Sequence, residues 1–326
     1  MDFFKIASES VENNGISPAA AVQLIKTPDH QTFELLAAAN KIRQHFKGNK
    51  IRLCAIINAK SGKCSENCSF CAQSGHHKTK IEAYPLLSEK EIIKSARAAE
   101  KNMQAACFSI VTSGKKLKSK SEIDIVSQAL EGISNKTKMN RCVSTGILDK
   151  ATILALKEKG LKRLHHNLET AKSFFKQVCT THTYEERLQT LINAKEAGVE
   201  ICSGGIFNLG ESLEQRVELA YALKEHDPVS VPINILNPIP GTPAYKKFKP
   251  ISPLEVLRLI AAYRFILPDK DIGLFGGREF ALRELQPLMF VAGANVTLVG
   301  NYLITRGQAA QKDLQMIGNL GLEAGL

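Results

Sequence analysis

Tryptophan is absent from the 326 residues, and aromatic side chains make up only 6% of them. Proteins that hold single-stranded nucleic acid stack bases on aromatic platforms, and this chain has few to offer. Charge alone points the other way: 43 Lys+Arg against 32 Asp+Glu give a formal +11, a balance that attracts polyanions. The lysines are scattered, however, with one dense cluster at Lys115–Lys120. The excess therefore reads as solubility with modest attraction for small anions, and no nucleic-acid partner is expected. No hydrophobic run reaches the roughly 18–20 residues of a spanning helix. The Met1 region lacks the basic, apolar and small-residue pattern of a secretory leader. A cytoplasmic protein without a membrane role is expected. Pro/Gly/Ser-rich linkers, low-complexity tracts and fixed-period repeats are missing too. With 44% hydrophobic residues the chain can bury a sizeable core. Eight cysteines in a reducing compartment point to metal or redox chemistry rather than to disulfides.

Three of those cysteines form the run Cys64-x3-Cys68-x2-Cys71. The spacing puts three thiolates on one short loop, able to close on one face of an iron–sulfur cube. Such cubes usually take four cysteines, so three leave one iron open to a substrate or cofactor. Structural zinc is the rival, but it usually uses two ligand pairs. No second C-x2-C or H-x3–5-H pair follows at a workable distance.

Short apolar runs alternate with capped helices along the rest of the chain. Eight runs read as strands: Arg52–Asn58, Ala105–Thr112, Arg141–Thr145, Arg163–Glu169, Glu200–Phe207, Val229–Leu236, Asp271–Phe275 and Asn295–Gly300. Several are almost continuously apolar, as in a parallel sheet covered by helices. Ser88-x-x-Glu91, Thr183-x-x-Glu186, Ser212-x-x-Gln215 and Ser252-Pro253-x-Glu255 read as capping boxes. Asp149 can cap the helix that Gly160 ends, and Gly198 ends the next. Eight β–α alternations predict an α/β fold, a (β/α)8 TIM-type barrel spanning 51–326, with an N-terminal helical extension over 1–50. A doubly wound open sheet is the alternative. Within the extension, Gln31–His45 has amphipathic spacing at Phe33, Leu36, Ala37 and Ala39. The cysteine loop follows the first strand directly, so it lies at the C-terminal face, where such barrels carry their sites. Cys107, Cys142 and Cys202 fall inside strands. A buried cysteine alone is usually a small hydrophobe, but three on separate strands make a second metal site credible.

The ordered set Ser61-Gly62-Lys63-Cys64, His166-Asn167-Leu168-Glu169-Thr170, Thr180-Thr181-His182-Thr183-Tyr184, Ile201-Cys202-Ser203-Gly204-Gly205, Leu209-Gly210-Glu211, Ser230-Val231-Pro232-Ile233-Asn234, Gly241-Thr242-Pro243, Ala292-Gly293-Ala294-Asn295 and Gly300-Asn301-Tyr302-Leu303 runs over roughly Arg52 to Leu322. In it the chain resembles the radical S-adenosylmethionine (SAM) superfamily and, more closely, the biotin synthase family. The resemblance implies that Cys64, Cys68 and Cys71 hold a [4Fe–4S] cluster that chelates SAM. SAM would be cleaved to methionine and a 5′-deoxyadenosyl radical, which removes hydrogen from dethiobiotin. A second, auxiliary iron–sulfur cluster on Cys107, Cys142 and Cys202 would supply the sulfur. Phe70, Asn167, Glu169 and Arg187 are the implied SAM contacts, Arg187 suiting the methionyl carboxylate. Asn167 and Asn234 are the implied contacts to the ureido ring of dethiobiotin, since an amide offers a donor and an acceptor together. His165, in a place where the family often has asparagine, could touch substrate. A flavodoxin- or ferredoxin-type electron donor and a homodimer are further implications.

One place departs from the family. Its [2Fe–2S] auxiliary cluster usually takes an arginine from the seventh strand, in a segment of the form R-L-S-A-G-R-E. Here that segment is Gly273-Leu274-Phe275-Gly276-Gly277-Arg278-Glu279, with glycine in the ligand's place. Cys54, on the first strand, is the candidate replacement. In a barrel, one interior layer comes from alternate strands, which groups Cys54, Cys142 and Cys202 with Gly273, while Cys107 would approach from a neighbouring layer. The loss of a long side chain at Gly273 would also free volume. These positions predict an all-cysteine site of Cys54, Cys107, Cys142 and Cys202, suited to a four-iron cluster. The alternative is Cys54 as apolar filler beside a three-cysteine cluster. Cys179 is left over as a bystander, and His76 and His77 read as a solvated loop.

Overall fold

In the computed structural model, which describes residues 1–325, parallel strands close on themselves. They are β1 (Lys50–Lys60), β2 (Cys107–Thr112), β3 (Asn140–Ser144), β4 (Arg163–His165), β5 (Glu200–Cys202), β6 (Gly205–Phe207), β7 (Ser230–Ile235), β8 (Asp271–Leu274) and β9 (Val296–Leu298). Pairing of β1 with β9, at Arg52↔Val296 and Cys54↔Leu298, closes the ring. β5 and β6 share one position in it, since both pair with β7. The result is the eight-position barrel with helices outside. β10 (Glu323–Ala324) adds to the start of β1.

Each strand alternates its faces. On β1, Leu53 and Ala55 are buried toward the helices, and Cys54 and Ile56 face the lumen; on β2, Phe108 and Ile110 point outward and Cys107, Ser109 and Val111 inward. This period of two follows from the pleat, and it decides which cysteines see one another.

Helix starts follow the sequence closely. Full capping boxes form at Ser88/Glu91, Thr183/Glu186 and Ser212/Gln215, and Asp149 accepts from the Thr152 amide. The expected box at Ser252 does not form: the Ser252 side chain makes no cap bond to the helix Pro253–Ile266. Glu255, which would have reached back, instead accepts from Arg216 Nη1 at 2.7 Å, and a buried guanidinium outbids a cap amide because both groups are charged.

The N-terminal segment forms helices Phe3–Glu12, Pro18–Ile25 and Thr32–Lys47. The last packs with Leu35, Leu36, Ala38, Ala39 and Ile42 buried; Ala37 is exposed and Phe33 is 58% exposed. The apolar stripe is thus rotated from the one expected, because Leu35 and Ile42 take the core positions.

Two strands are shorter than their apolar runs. β4 stops at His165, and the Glu200–Phe207 run breaks at Ser203-Gly204. A Cβ on Gly204 would sit 1.9 Å from the Pro232 carbonyl oxygen, so only glycine lets β7 approach this closely. The break frees Gly204 to bond the segment after β4 instead: its carbonyl accepts from Leu168 and Glu169.

At the opposite, N-terminal end of the barrel, Arg264 is fully buried. It donates to the carbonyls of Gly293, Pro268 and Lys270, each at 2.8 Å, and to Asn295 Oδ1 at 2.7 Å. Asn295 in turn donates to Asp271, which pairs with Arg52 and Lys47. Arg264→Met leaves several buried acceptors without a donor, at about 1–3 kcal/mol each. We expect it to lower stability by about 3 kcal/mol or more in denaturant titration, while the remote active face keeps its spectra. A loss under about 1 kcal/mol would contradict this role.

Candidate active site

The loop after β1 folds back on itself. The Cys64 amide donates to the Gln73 carbonyl at 3.0 Å and the Gly75 amide to the Cys64 carbonyl at 2.7 Å; Gln73 Oε1 accepts from the Gly62 amide. Ser74 Oγ donates to the Glu66 carbonyl at 2.6 Å. His76 Nε2 meets the Ser65 carbonyl and His77 Nδ1 the Cys71 carbonyl, both at 2.9 Å. His76 is exposed, as a solvated loop implies, and both rings also bond loop carbonyls. Phe70, Cys71, Ala72 and Gln73 line a cavity of about 340 Å³ that runs down into the barrel. Burial pushes the Cys71 thiol up to about 11.

Cys68 turns toward a residue 111 positions away. Its thiol hydrogen-bonds Cys179, which together with burial raises its pKa. Cys179 is buried, and its Sγ lies 3.4 Å from Asn67 Oδ1 and 3.3 Å from His182 Nδ1. The hydrogen bond from Cys68 brings Cys179 down to about 3, with His182 adding to the effect and burial opposing it. Cys179 is therefore no bystander. Cys68, Cys179 and His182 place their donor atoms within 4.8 Å of one another, yet the imidazole is already spoken for. Arg187 Nη1, which can only donate, faces His182 Nε2 at 3.2 Å, so Nδ1 carries the proton and donates to Glu66 Oε2 at 2.6 Å. No lone pair is left for a metal ion, and the trio acts as a brace that ties the loop to the barrel.

The segment after β4 is held with equal care. Glu169 adopts φ 70°, a left-handed conformation that a non-glycine residue keeps only when its surroundings insist. Its amide donates to the Gly204 carbonyl and its carbonyl accepts from Ile206. Arg187 donates from Nη2 to Glu169 Oε1 at 2.9 Å and from Nε to the Asn167 carbonyl at 2.7 Å. Asn167 Oδ1 accepts from the Gly204 amide at 3.1 Å, and its Nδ2 lies 3.4 Å from Glu169 Oε2. Asn234 Oδ1 accepts from the Gly276 amide at 2.9 Å, and Nδ2 donates to the Gly205 carbonyl at 3.2 Å. A side-chain amide has two donor hydrogens and two acceptor lone pairs. Each asparagine thus keeps one of each, and both line the cavity, as does Glu169. Arg187 braces Glu169 from outside the cavity lining.

Deeper in the lumen four cysteines line the same cavity, three of them in contact along a row. Cys54 and Cys107 are ladder partners, and Cys107 Sγ lies 2.7 Å from Cys142 Sγ. Hydrogen bonds from the thiols of Cys142 and Cys54 hold Cys107 well below the usual thiol range, and their bonds to Cys107, with burial, push Cys142 and Cys54 up. Cys107 therefore stands between its neighbours, where a separate layer was expected, because β1 and β2 run in register at that level. Burial pushes Cys202 up to about 12, and its Sγ is 3.3 Å from His165 Nδ1. His165, brought down to about 4 by burial, is neutral at physiological pH. Ser109 Oγ, on the same wall one step higher, is buried without a hydrogen-bond partner. Its hydroxyl is thus free to meet a group bound in the cavity.

Gly273 does not open free volume. A Cβ there would lie 2.2 Å from the Val296 carbonyl oxygen and 2.8 Å from the Phe275 ring. Phe275 joins Val296 and Leu298 in a small apolar cluster against which Cys54, Ile56 and Tyr302 pack. Arg278 is buried elsewhere, donating to Thr297 Oγ1 at 2.9 Å and pairing with Asp313 at 2.8 Å. Sequence reasoning missed Arg163, whose guanidinium lines the same cavity below the cysteines. The pattern Arg163-Leu164-His165 carries the signal, since a period of two puts Arg163 and His165 on one face.

Comparison with known proteins gives this site a family. Residues 59–223 match the radical SAM superfamily, and residues 232–323 match the Biotin and Thiamin Synthesis associated domain. Among solved structures, methylornithine synthase superposes with a TM-score of 0.85 at 19% identity, covering 98% of this chain and 97% of that one. A maturase of the [FeFe]-hydrogenase gives 0.82 at 17% identity, covering 98% and 75%. These two establish the fold. With the cysteine loop at the mouth of such a barrel, the protein is a radical SAM enzyme. Biotin synthase of Geotalea uraniireducens (strain Rf4) is 48% identical over 96% of this chain and 95% of its own. That of Geobacter sulfurreducens is 48% identical over 97% and 96%. The chain belongs to the biotin synthase family.

Proposed function

We propose that this enzyme converts dethiobiotin to biotin, with Cys64, Cys68 and Cys71 as ligands of the SAM-binding [4Fe–4S] cluster and with Cys54, Cys107, Cys142 and Cys202 as ligands of a four-iron auxiliary cluster. The observation that carries this reading is that Cys54, Cys107, Cys142 and Cys202 line one cavity together with Cys71 of the three-cysteine loop. The donor sets fit: soft thiolates select iron–sulfur clusters, three on the loop leave a position for SAM, and four in the lumen complete a cluster without arginine. When bound, the first cluster supplies the electron that cleaves SAM and the second supplies the sulfur.

The protein's own residues bind, orient and exclude water. Phe70 covers the cavity mouth, and Glu169, held in one conformation by Arg187, suits the ribose hydroxyls of SAM as an acceptor. Arg187 acts in this reading by fixing Glu169 and the Asn167 backbone, ahead of any contact with a carboxylate. Asn167 and Asn234 each present one free N–H and one free carbonyl lone pair, the pair that a cyclic urea requires. Apolar Ile206, Leu236, Phe275 and Leu298 line the remaining walls and suit the aliphatic chain. The reading brings with it an external electron donor of flavodoxin or ferredoxin type, a homodimer, and a division into an N-terminal extension over 1–50 and a barrel over 51–326.

Asn234→Leu tests the substrate half of this reading. Both the Gly276 contact and the urea contact vanish, so we expect the KM for dethiobiotin to rise by about tenfold or more, with SAM affinity unchanged. An unchanged KM would remove Asn234 from the substrate site.

A further inference from the structure

The lumen cysteines face a cation that the radical SAM site does not use. Arg163 opens β4, and its side chain is only 6% exposed. It is the ladder partner of Cys142 on one side and of Glu200 on the other, and Glu200 stands two residues before Cys202. Nε and Nη2 both donate to Glu200 Oε2, at 3.0 and 2.8 Å. That fork fixes the guanidinium beneath the cysteines, and Arg163 lines one cavity with Cys54, Cys107, Cys142 and Cys202. Its charge acts on all four thiols. Glu200, the counter-ion, is half exposed, so water screens the carboxylate more than it does the buried guanidinium.

The other arginines near this level are paired with carboxylates, although the charge of Arg52 also acts on Cys107. Arg278 bonds Thr297 and Asp313, and Arg52 pairs with Asp271 at the far end. Gly273 contributes no side chain at all. A four-iron cluster with a core charge of about +2 on four thiolates carries a net charge of about −2, and burying such an anion costs several kcal/mol unless a cation is near.

The geometry points to Arg163 as a positioning residue for the auxiliary cluster: a fixed buried cation that compensates the all-cysteine site and sets its reduction potential. The inference rests on the four-cysteine reading above. A cation beside the cluster favours the reduced, more negative state, so removing it lowers the potential. Glu200 opposes Arg163 in sign, so removing the carboxylate raises it. A defect of folding or packing would not produce shifts of opposite sign.

The test uses the full-length chain with Cys64, Cys68 and Cys71 replaced by alanine, reconstituted with iron and sulfide, so that only the auxiliary cluster is read. Iron and sulfide are counted and the potential is found by anaerobic redox titration. In that background Arg163→Met is expected to disfavour one-electron reduction about tenfold or more, equivalent to about 59 mV. Arg163→Lys is expected to recover most of the shift, because it keeps the charge and loses only the fork. Glu200→Gln is expected to move the potential upward. Equal potentials in the Met variant and the parent, or shifts of one sign in the Met and Gln variants, would overturn the role of Arg163 while leaving the cluster reading intact. A Met variant that loses its iron while the Lys variant retains it would support the compensation. A parent that takes up no iron would overturn both the four-cysteine reading and this inference.

Discussion

Replacing Cys64, Cys68 or Cys71 with alanine is expected to reduce 5′-deoxyadenosine release from SAM by at least about a thousandfold. In the proposed reading the three loop thiolates act as one ligand set, and groups that act as a unit fail as a unit. The loop fold should survive the change, since most of the bonds that set it do not involve sulfur, the contact of Cys68 to Cys179 excepted. The Cys64 amide and carbonyl, Ser74 with Glu66, and Asn67 with Thr180 and Thr181 all remain. In the proposed arrangement the auxiliary cluster would sit deeper, on β1, β2, β3 and β5, so its absorption and iron should persist in each variant. Quantifying deoxyadenosine by mass spectrometry, with iron counts beside it, checks both halves. Substantial SAM cleavage in the Cys68→Ala protein would show that Cys179, whose thiol meets Cys68, can take its place.

Cys54→Ala should separate the two steps in the opposite way. Cys54 touches Cys107 and also packs against Phe275, Val296 and Leu298, so its neighbours alone fit both a ligand and an apolar filler. The two roles predict different outcomes. As a ligand, its loss should change the Mössbauer and iron signature of the auxiliary cluster and lower biotin formation by about a hundredfold or more, ligands mattering at least as much as their outer partners. SAM cleavage should continue at close to its normal rate. As filler, the substitution would cost about 1 kcal/mol of stability and leave the auxiliary spectrum as it was. Gly273 leaves room for the ligand role: it offers no side chain of its own, and the backbone of Val296 and the ring of Phe275 occupy the space beside it.

Much of this arrangement is legible in the sequence, for physical reasons. Strands of a closed parallel barrel are covered by helices, so their outward faces supply the apolar positions that mark the eight runs, and local capping chemistry marks most helix starts. Cysteine spacing on one short loop fixes the site at the mouth. What was illegible depends on contacts between distant residues. Glu255 looks like a capping partner until Arg216 arrives from another helix. The Glu200–Phe207 run reads as one strand until the Pro232 carbonyl crowds Gly204. Cys179 looks idle because nothing local reveals Cys68 beside it. Gly273 suggests an opening, and only the fold shows Phe275 closing it. Arg163 reads as a strand-edge charge until β3 and β5 bring Cys142 and Cys202 to its sides.

The most direct test of the account asks where the sulfur comes from. Protein reconstituted with iron and 34S-labelled sulfide, cleared of free sulfide, is mixed anaerobically with SAM, reductant and dethiobiotin, and the biotin is weighed by mass spectrometry. Biotin carrying one 34S atom is expected, with about two 5′-deoxyadenosines released for each. Unlabelled biotin, or deoxyadenosine without biotin, would contradict the claim that the lumen cysteines hold a sulfur-donating cluster.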